Sequence, residues 1–250
     1  MKEIRRQQRD WEELASFDPW RAILREPGRA DEWQLDEFLA TGERDADRAL
    51  GAATAHGLPR RFTRALDFGC GVGRLSLALA RRFDQVVGID IAPTMVERAR
   101  RLAETAAPNC RFIVGAEPEL RALPAANFDF VLSLLVLQHQ PSGEAAEALV
   151  AELTAKLAPG GALVLQVPRR LPPRRRIQSR RRAYALLRRL RVPSPVLLGR
   201  LGLDPIRTVA VPEERVRAAV ARAGGTVLAA EDDDAAGPHV PSRRYLITRV

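Results

Sequence analysis

Several residue types are scarce in this sequence, and each scarcity excludes something. Cys70 and Cys110 are the only two cysteines in 250 residues, too few for a disulfide framework or a four-thiolate zinc site. The three histidines (His56, His139 and His239) are scattered and lack a carboxylate–histidine spacing, so no metal ligand set is expected. Uninterrupted apolar runs are short, such as Leu134–Leu137, or Phe128–Leu137 if Asp129 and Ser133 are passed over, whereas a spanning helix needs about 20 residues. The first residues, Met1 to Leu14, place no apolar run behind their charges and do not read as a secretory signal. Together these absences predict a soluble, cytoplasmic protein. Apolar residues at 46% and charged residues at 28% are ordinary for a globular chain, and the length fits one large domain or two small ones.

Lysine is scarce too, since 38 of the 40 basic residues are arginine, a bias that a GC-rich coding sequence explains. The placement of the arginines is more informative. Residues 169–207 hold 13 arginines and a single acid, Asp204, so this stretch is +12 and the remainder carries −3 of the net +9. The basic character belongs to one insertion.

Three regions follow along the chain. Residues 1–60 hold Trp11, Trp20 and Trp33 in helix-like stretches broken at Asp18-Pro19, Pro27-Gly28 and Gly42. Asp31 reads as the N-cap of a helix running towards Thr41 that Gly42 stops, with Trp33, Leu35, Phe38 and Leu39 apolar. Residues 63–168 alternate strands (63–68, 85–90, 110–115, 128–134, 162–167) with helices (74–82, 94–106, 143–157). Valine, leucine and isoleucine runs without polar alternation suit parallel strands covered on both faces. The alternation predicts an α/β fold with a doubly wound, mostly parallel sheet. Beyond the basic insertion, a helix over 212–223, a strand over 226–230, a loop over 231–241 and a last strand from Tyr245 are expected.

The first strand runs into Asp67-Phe68-Gly69-Cys70-Gly71-Val72-Gly73-Arg74. A strand feeding a glycine-rich turn that opens a helix lets a ligand approach the backbone closely, at the sheet edge where doubly wound folds bind ligands. Asp67 would repel a pyrophosphate but suits a cationic group such as an amino acid's ammonium. Asp90, at the tip of the second strand, can accept hydrogen bonds from both ribose hydroxyls, or serve as a helix cap.

These residues resemble the class I, Rossmann-like S-adenosylmethionine-dependent methyltransferases. Leu66–Leu75 is similar to that family's glycine-rich motif, and Gly88–Met95 to its ribose-binding turn. Phe128–Ser133 is similar to its fourth strand and Leu157–Leu163 to its turn into the fifth. The resemblance implies a seven-stranded sheet with the last strand antiparallel. It also implies that Asp67, Gly69, Cys70 and Gly71 line the methionine end of S-adenosylmethionine, that Asp90 holds the ribose, and that Ile91 and Met95 flank the adenine. Gly73 and Ser133, within the same motifs, complete the implied set. The family often has an Asp after the third strand; here Ala116 stands in that place, and Glu117 is either its substitute or a surface acid.

His139 follows the fourth strand, in a loop that borders the transfer centre in the family. It is read as a general base, against an alternative as a capping or cofactor-contacting residue. The tryptophans are core anchors, or parts of a helical lid in which Trp33, Phe38 and Thr41-Gly42 cover the cofactor. In the basic insertion, Ala183, Leu186, Leu187 and Leu190 make one apolar helical face. That segment caps the acceptor side, meets an anionic membrane or lipid-linked substrate, or tracks nucleic acid, the last being least favoured because Tyr184 is its one aromatic.

The resulting expectation is a methyltransferase domain over 61–250, with a lid over 1–60 and an insertion over 169–207. It would move a methyl group from S-adenosylmethionine to an O, N or C nucleophile of a small molecule (a natural product, sugar or lipid-linked acceptor), leaving S-adenosylhomocysteine. An RNA-directed methyltransferase and a non-catalytic scaffold are the alternatives.

Overall fold

The structure, a computed structural model, describes residues 2–23, 34–237 and 240–249. Seven strands form one sheet: β1 (Arg64–Phe68), β2 (Gln85–Asp90), β3 (Cys110–Val114), β4 (Phe128–Ser133), β5 (Leu157–Pro168), β6 (Gly225–Asp233) and β7 (Ser242–Arg249). Their order is β3-β2-β1-β4-β5-β7-β6. The first five pair in parallel, and β7 runs antiparallel between β5 and β6. All six residues of β4 are buried, which is why it reads as a mostly apolar run. Its one acid, Asp129, is satisfied there by the N–H groups of Thr63 and Arg64 at 2.9 and 3.0 Å.

Helices cover both faces. On one side α3 (Leu35–Thr54), α4 (Arg74–Ala80) and α5 (Pro93–Ala106) bury Leu50, Leu79 and Val96 against the sheet. On the other, α6 (Glu117–Ala122), α7 (Gly143–Ala155) and α10 (Glu213–Arg222) bury Leu120, Leu153 and Val220. Ahead of these come α1 (Lys2–Phe17) and α2 (Pro19–Ile23); the basic insertion contributes α8 (Pro173–Arg176) and α9 (Ser179–Arg189).

Several sequence expectations change in the structure. Gly42 does not stop a helix; it lies inside α3, where an added Cβ would collide with the carbonyl of Arg74. Its missing side chain is what lets α3 and α4 touch. Arg74, itself buried, then reaches Asp45 at 2.7 Å and Thr41 Oγ1 at 3.2 Å. The proposed cap Asp31 and the lid residue Trp33 lie outside the described residues. Helix α6 occupies a stretch read as loop, and the Glu119 carboxylate closes its start by accepting the Ala116 N–H at 2.7 Å. Strand β5 begins at Leu157 rather than Ala162, with an irregularity in its pairing to β4. The loop expected over 231–241 is shorter, because Asp232 and Asp233 belong to β6. Arginines of β7 hold these acids, Arg243 with Asp232 at 3.4 Å and Arg244 with Asp233 at 2.7 Å.

The apolar stripe of the insertion is split. Tyr184 is buried with Leu14, Leu197 and Leu198, and Leu187 packs beside them. Leu186 and Leu190 instead stand 59% and 67% exposed.

Candidate active site

The turn after β1 is built on three glycines with positive φ: Gly69 at 82°, Gly71 at 54° and Gly73 at 89°. The N–H groups of Gly69 and Cys70 both donate to the Ile89 carbonyl, at 2.7 and 3.0 Å, which ties the turn to the end of β2. A Cβ on Gly69 would run into Val136, and one on Gly71 would lie 2.7 Å from Ile23. These positions leave no room for a side chain, and they open the backbone to the space above the sheet.

Asp90 faces that space with its carboxylate fixed. The Gly71 N–H donates to Oδ2 and the Ala92 N–H to Oδ1, each at 2.9 Å. Burial pushes its pKa up while these amides pull it down. A carboxylate has about four acceptor positions, so two remain for a diol. Both readings of Asp90, turn cap and ligand acceptor, are therefore compatible in one side chain.

A cavity of about 740 Å³ opens here, and Gly69, Gly71, Asp90, Ile91, Met95, Glu117 and His139 all line it. Asp67, Cys70, Gly73 and Ser133 are not among the residues that line it. The first of these is buried and accepts the Ser76 hydroxyl at 2.7 Å on Oδ2, while Oδ1 has no partner. Burial, the largest influence, drives the Asp67 carboxyl up to about 6 against the pull of Ser76 and Arg74. Cys70 turns into a small core with Val96, Ala99 and Phe112, where burial pushes its thiol well above the usual range. Gly73 packs close to Ala99 and Phe112. The Ser133 hydroxyl donates to the Phe68 carbonyl at 3.0 Å and so braces β4 on β1. Asp67, Cys70, Gly73 and Ser133 thus shape the turn from beneath. Glu117, at the start of α6, accepts from Arg121 Nη2 at 2.6 Å.

His139 sits in a short 3₁₀ turn, Leu137–His139. Its Nδ1 is 2.9 Å from the Arg207 carbonyl oxygen. A carbonyl can only accept, so the proton sits on Nδ1 and Nε2 carries the lone pair. The Gln138 side-chain nitrogen approaches Nε2 at 3.1 Å. Trp11 meets the imidazole edge-on, with ring centroids 5.1 Å apart.

Sequence reasoning placed the wrong residues over this cavity. Phe38 is fully buried against Trp20, and Thr41 and Gly42 face Arg74, so none of the three lines it. Gln7, Trp11 and Leu14 of α1 and Ile23 of α2 line it instead. Helix α1 is fastened at both sides of the opening. The Gln7 amide donates to the His139 carbonyl and the Gln8 amide to the Ile91 carbonyl, each at 3.1 Å, while Glu12 accepts from Thr94. The repeated polar side chains of α1 were the available signal, but their partners lie more than 80 residues away. The insertion also reaches the cavity, through Arg174, Arg175, Gln178, Ser179, Arg180 and Arg181.

A doubly wound sheet with its seventh strand antiparallel, a three-glycine turn and an acid at the tip of β2 define the class I, S-adenosylmethionine-dependent methyltransferase architecture. Residues 65–161 match the family model described as a methyltransferase domain. It is 33% identical over 151 residues to a ubiquinone biosynthesis O-methyltransferase of Xanthomonas axonopodis pv. citri, covering 56% of this chain and 62% of the relative. The chain therefore spans less than two thirds of the curated relative's length. In fold it is similar to magnesium protoporphyrin IX methyltransferase from Synechocystis, solved with bound S-adenosylhomocysteine, at a TM-score of 0.63 and 22% identity, covering 98% of this chain and 100% of that one. A methyltransferase from Clostridium acetobutylicum superposes with a TM-score of 0.58 at 13% identity, over 82% of this chain and 90% of that one.

Proposed function

We propose that the protein is an S-adenosylmethionine-dependent methyltransferase acting on a nucleophilic atom of a small-molecule acceptor, with the O-methyltransferase relatives favouring oxygen. The observation that carries this reading is the Asp90 carboxylate, locked by the Gly71 and Ala92 amides and facing a cavity that continues past the glycine turn to His139. Gly69 and Gly71 supply a cradle that a Cβ would fill, Ile91 and Met95 supply apolar walls for the adenine, and Glu117 stands at the edge of that site. Asp67, with its orphaned Oδ1, supplies negative charge under the turn for an ammonium. When bound, S-adenosylmethionine supplies an electrophilic methyl group on a sulfonium.

The chain's own residues align the reactants and exclude water. Helix α1, with Trp11 and Leu14 on the cavity, forms the lid of a 1–60 segment over the 61–250 domain. His139 takes the acceptor's proton at Nε2, where the acceptor would displace the Gln138 amide, with Nδ1–H held on the Arg207 carbonyl to fix the ring. Calorimetry tests the cofactor: S-adenosylhomocysteine should bind and NADH should not, and the reverse result sinks the reading. Transfer of a labelled methyl group to a panel of phenols, amines and carboxylic acids tests turnover; binding without transfer across the panel favours a scaffold.

A second observation bears on the acceptor's source. Ile177, Leu186, Leu190 and Leu201 of the basic insertion are exposed, which supports peripheral contact of the protein with an anionic membrane. Cosedimentation with phosphatidylglycerol vesicles tests this. Nucleic acid is less favoured, because Tyr184 is buried and unavailable for stacking. Among the described residues no helix is long and apolar enough to cross a membrane, and a cytoplasmic location fits this reading.

A further inference from the structure

The arginines of the insertion divide into two groups. Some have acidic partners elsewhere: Arg188 lies 3.5 Å from Glu13, and Arg169 lies 4.0 Å from Asp232. Arg174, Arg175, Arg180 and Arg181 instead line the cavity, and among the described residues none of the four has a carboxylate within 4 Å. Arg180 and Arg181 are aimed by the chain itself, donating to the carbonyls of Gly202 and Pro205 respectively.

Arg181 shows what this crowding costs. Its pKa is pushed down by burial first, then by the neighbouring cations Arg207 and Arg6, with Asp10 opposing. Asp10 is itself pushed up by its own burial. Helix α9 adds to the imbalance by opening with Arg180, Arg181 and Arg182 and no acid in its first turn, where the helix dipole already favours negative charge. Four acids also line the cavity, Asp90, Glu117, Asp204 and Asp234; Asp90 is held by the Gly71 and Ala92 amides and Glu117 by Arg121. Asp204 is further engaged by the Ile206 N–H at 3.1 Å.

The arginines are also remote from the groups assigned to the cofactor. Asp90 and the glycine turn sit at the ends of β2 and β1, whereas the insertion follows β5, on the other side of β4. Trp11, Leu14, Leu134 and Ile206 also line the cavity. An apolar body with one anionic end fits such a site.

We propose that the acceptor is a soluble small molecule bearing an oxyanion, a carboxylate or a phosphate, and that Arg174, Arg175 and Arg181 bind it and so select the substrate. This rests on the methyltransferase reading and names its substrate class. Guanidinium groups pair with both oxyanions through charge-assisted hydrogen bonds.

The test uses the full chain saturated with S-adenosylhomocysteine and two fluorescent probes of matched shape, 8-anilinonaphthalene-1-sulfonate and the uncharged N-phenyl-1-naphthylamine. The sulfonate should bind one-to-one and at least tenfold more tightly than the neutral probe. Arg174→Gln/Arg175→Gln, both exposed positions, should remove most of that preference, and Arg181→Lys should weaken it while leaving a charge. S-adenosylhomocysteine affinity should stay within twofold in every variant. Competition then separates the sources: displacement by benzoate points to a carboxylate and by inorganic phosphate to a phosphate. Equal affinity for the two probes, an unchanged preference in the glutamine variant, or displacement by phosphatidylglycerol vesicles alone overturns the proposal. Failure of S-adenosylhomocysteine to bind the wild-type chain instead defeats the reading beneath it.

Discussion

Replacing Asp67 with Asn should change how stability depends on pH, by an amount the structure fixes. The carboxyl is buried beneath the glycine turn, with one oxygen on Ser76 and the other without a partner. Its pKa therefore rises from 3.8 to about 6. A raised acid pKa means that the folded state holds its proton where the unfolded state has released it. The associated stability is fully present below pH 3.8 and is lost as pH rises through 6. The rise is worth about 3 kcal/mol over the whole titration, of which roughly half falls between pH 5 and 8. Asn has the same shape and no titration, so its absolute stability mixes this relief with the cost of a buried amide. The difference between variant and wild type cancels the other ionisable groups. Urea denaturation of both proteins at pH 5, 6, 7 and 8 should show that difference moving by on the order of 1 kcal/mol in favour of Asn. In the same variant, S-adenosylhomocysteine affinity at pH 8 should fall, because the charge provided for an ammonium is gone. Parallel stability curves across this pH range would refute the assignment of a strained, orphaned carboxylate.

Three further outcomes follow from the site. Asp90→Ala should lower S-adenosylhomocysteine affinity by roughly tenfold to a hundredfold in calorimetry, and it should cost about 1–3 kcal/mol of stability because the Gly71 and Ala92 amides lose their acceptor. Gly69→Ala, at φ 82° and against Val136, should destabilise the fold by about 2 kcal/mol or more and abolish calorimetric binding; Gly51→Ala, with open space around its Cβ, should be neutral or slightly stabilising in the same thermal melts. Once an acceptor is identified, His139→Gln should lower kcat roughly a hundredfold or more, leaving S-adenosylhomocysteine affinity close to wild type; an unchanged kcat assigns the residue to packing against Trp11.

The β1 turn and the tip of β2 were legible because their chemistry is local. A strand, three glycines with positive φ and a helix start lie within ten consecutive residues, and no other residue type fits those backbone angles well. The parallel strands were equally readable, since burial on both faces writes a mostly apolar run such as that of β4, interrupted only by Asp129 and Ser133. What failed were inferences that needed a partner distant in sequence. Gly42 reads as a helix stop until the Arg74 carbonyl is seen to occupy the place of its side chain. The acids Asp232 and Asp233 read as loop until Arg243 and Arg244 are found opposite them. Leu186 and Leu190 share a helical stripe with Leu187, yet only the face carrying Tyr184 and Leu187 meets α1. Cys70 sits inside the ligand motif, but the turn after β1 directs its side chain into the core.

The sequence alone determined the sheet, the glycine turn and the acid of β2, because backbone propensity and runs of apolar residues are encoded within a few consecutive residues of chain. Tertiary structure alone decided which residues close the cavity. Gln7 and Trp11 face His139 across more than a hundred residues, and four arginines of an insertion converge on the same space. Those contacts exist only after β5 and the N-terminal helices have been brought to one edge of the sheet, and long-range packing of that kind leaves no period in the sequence to read.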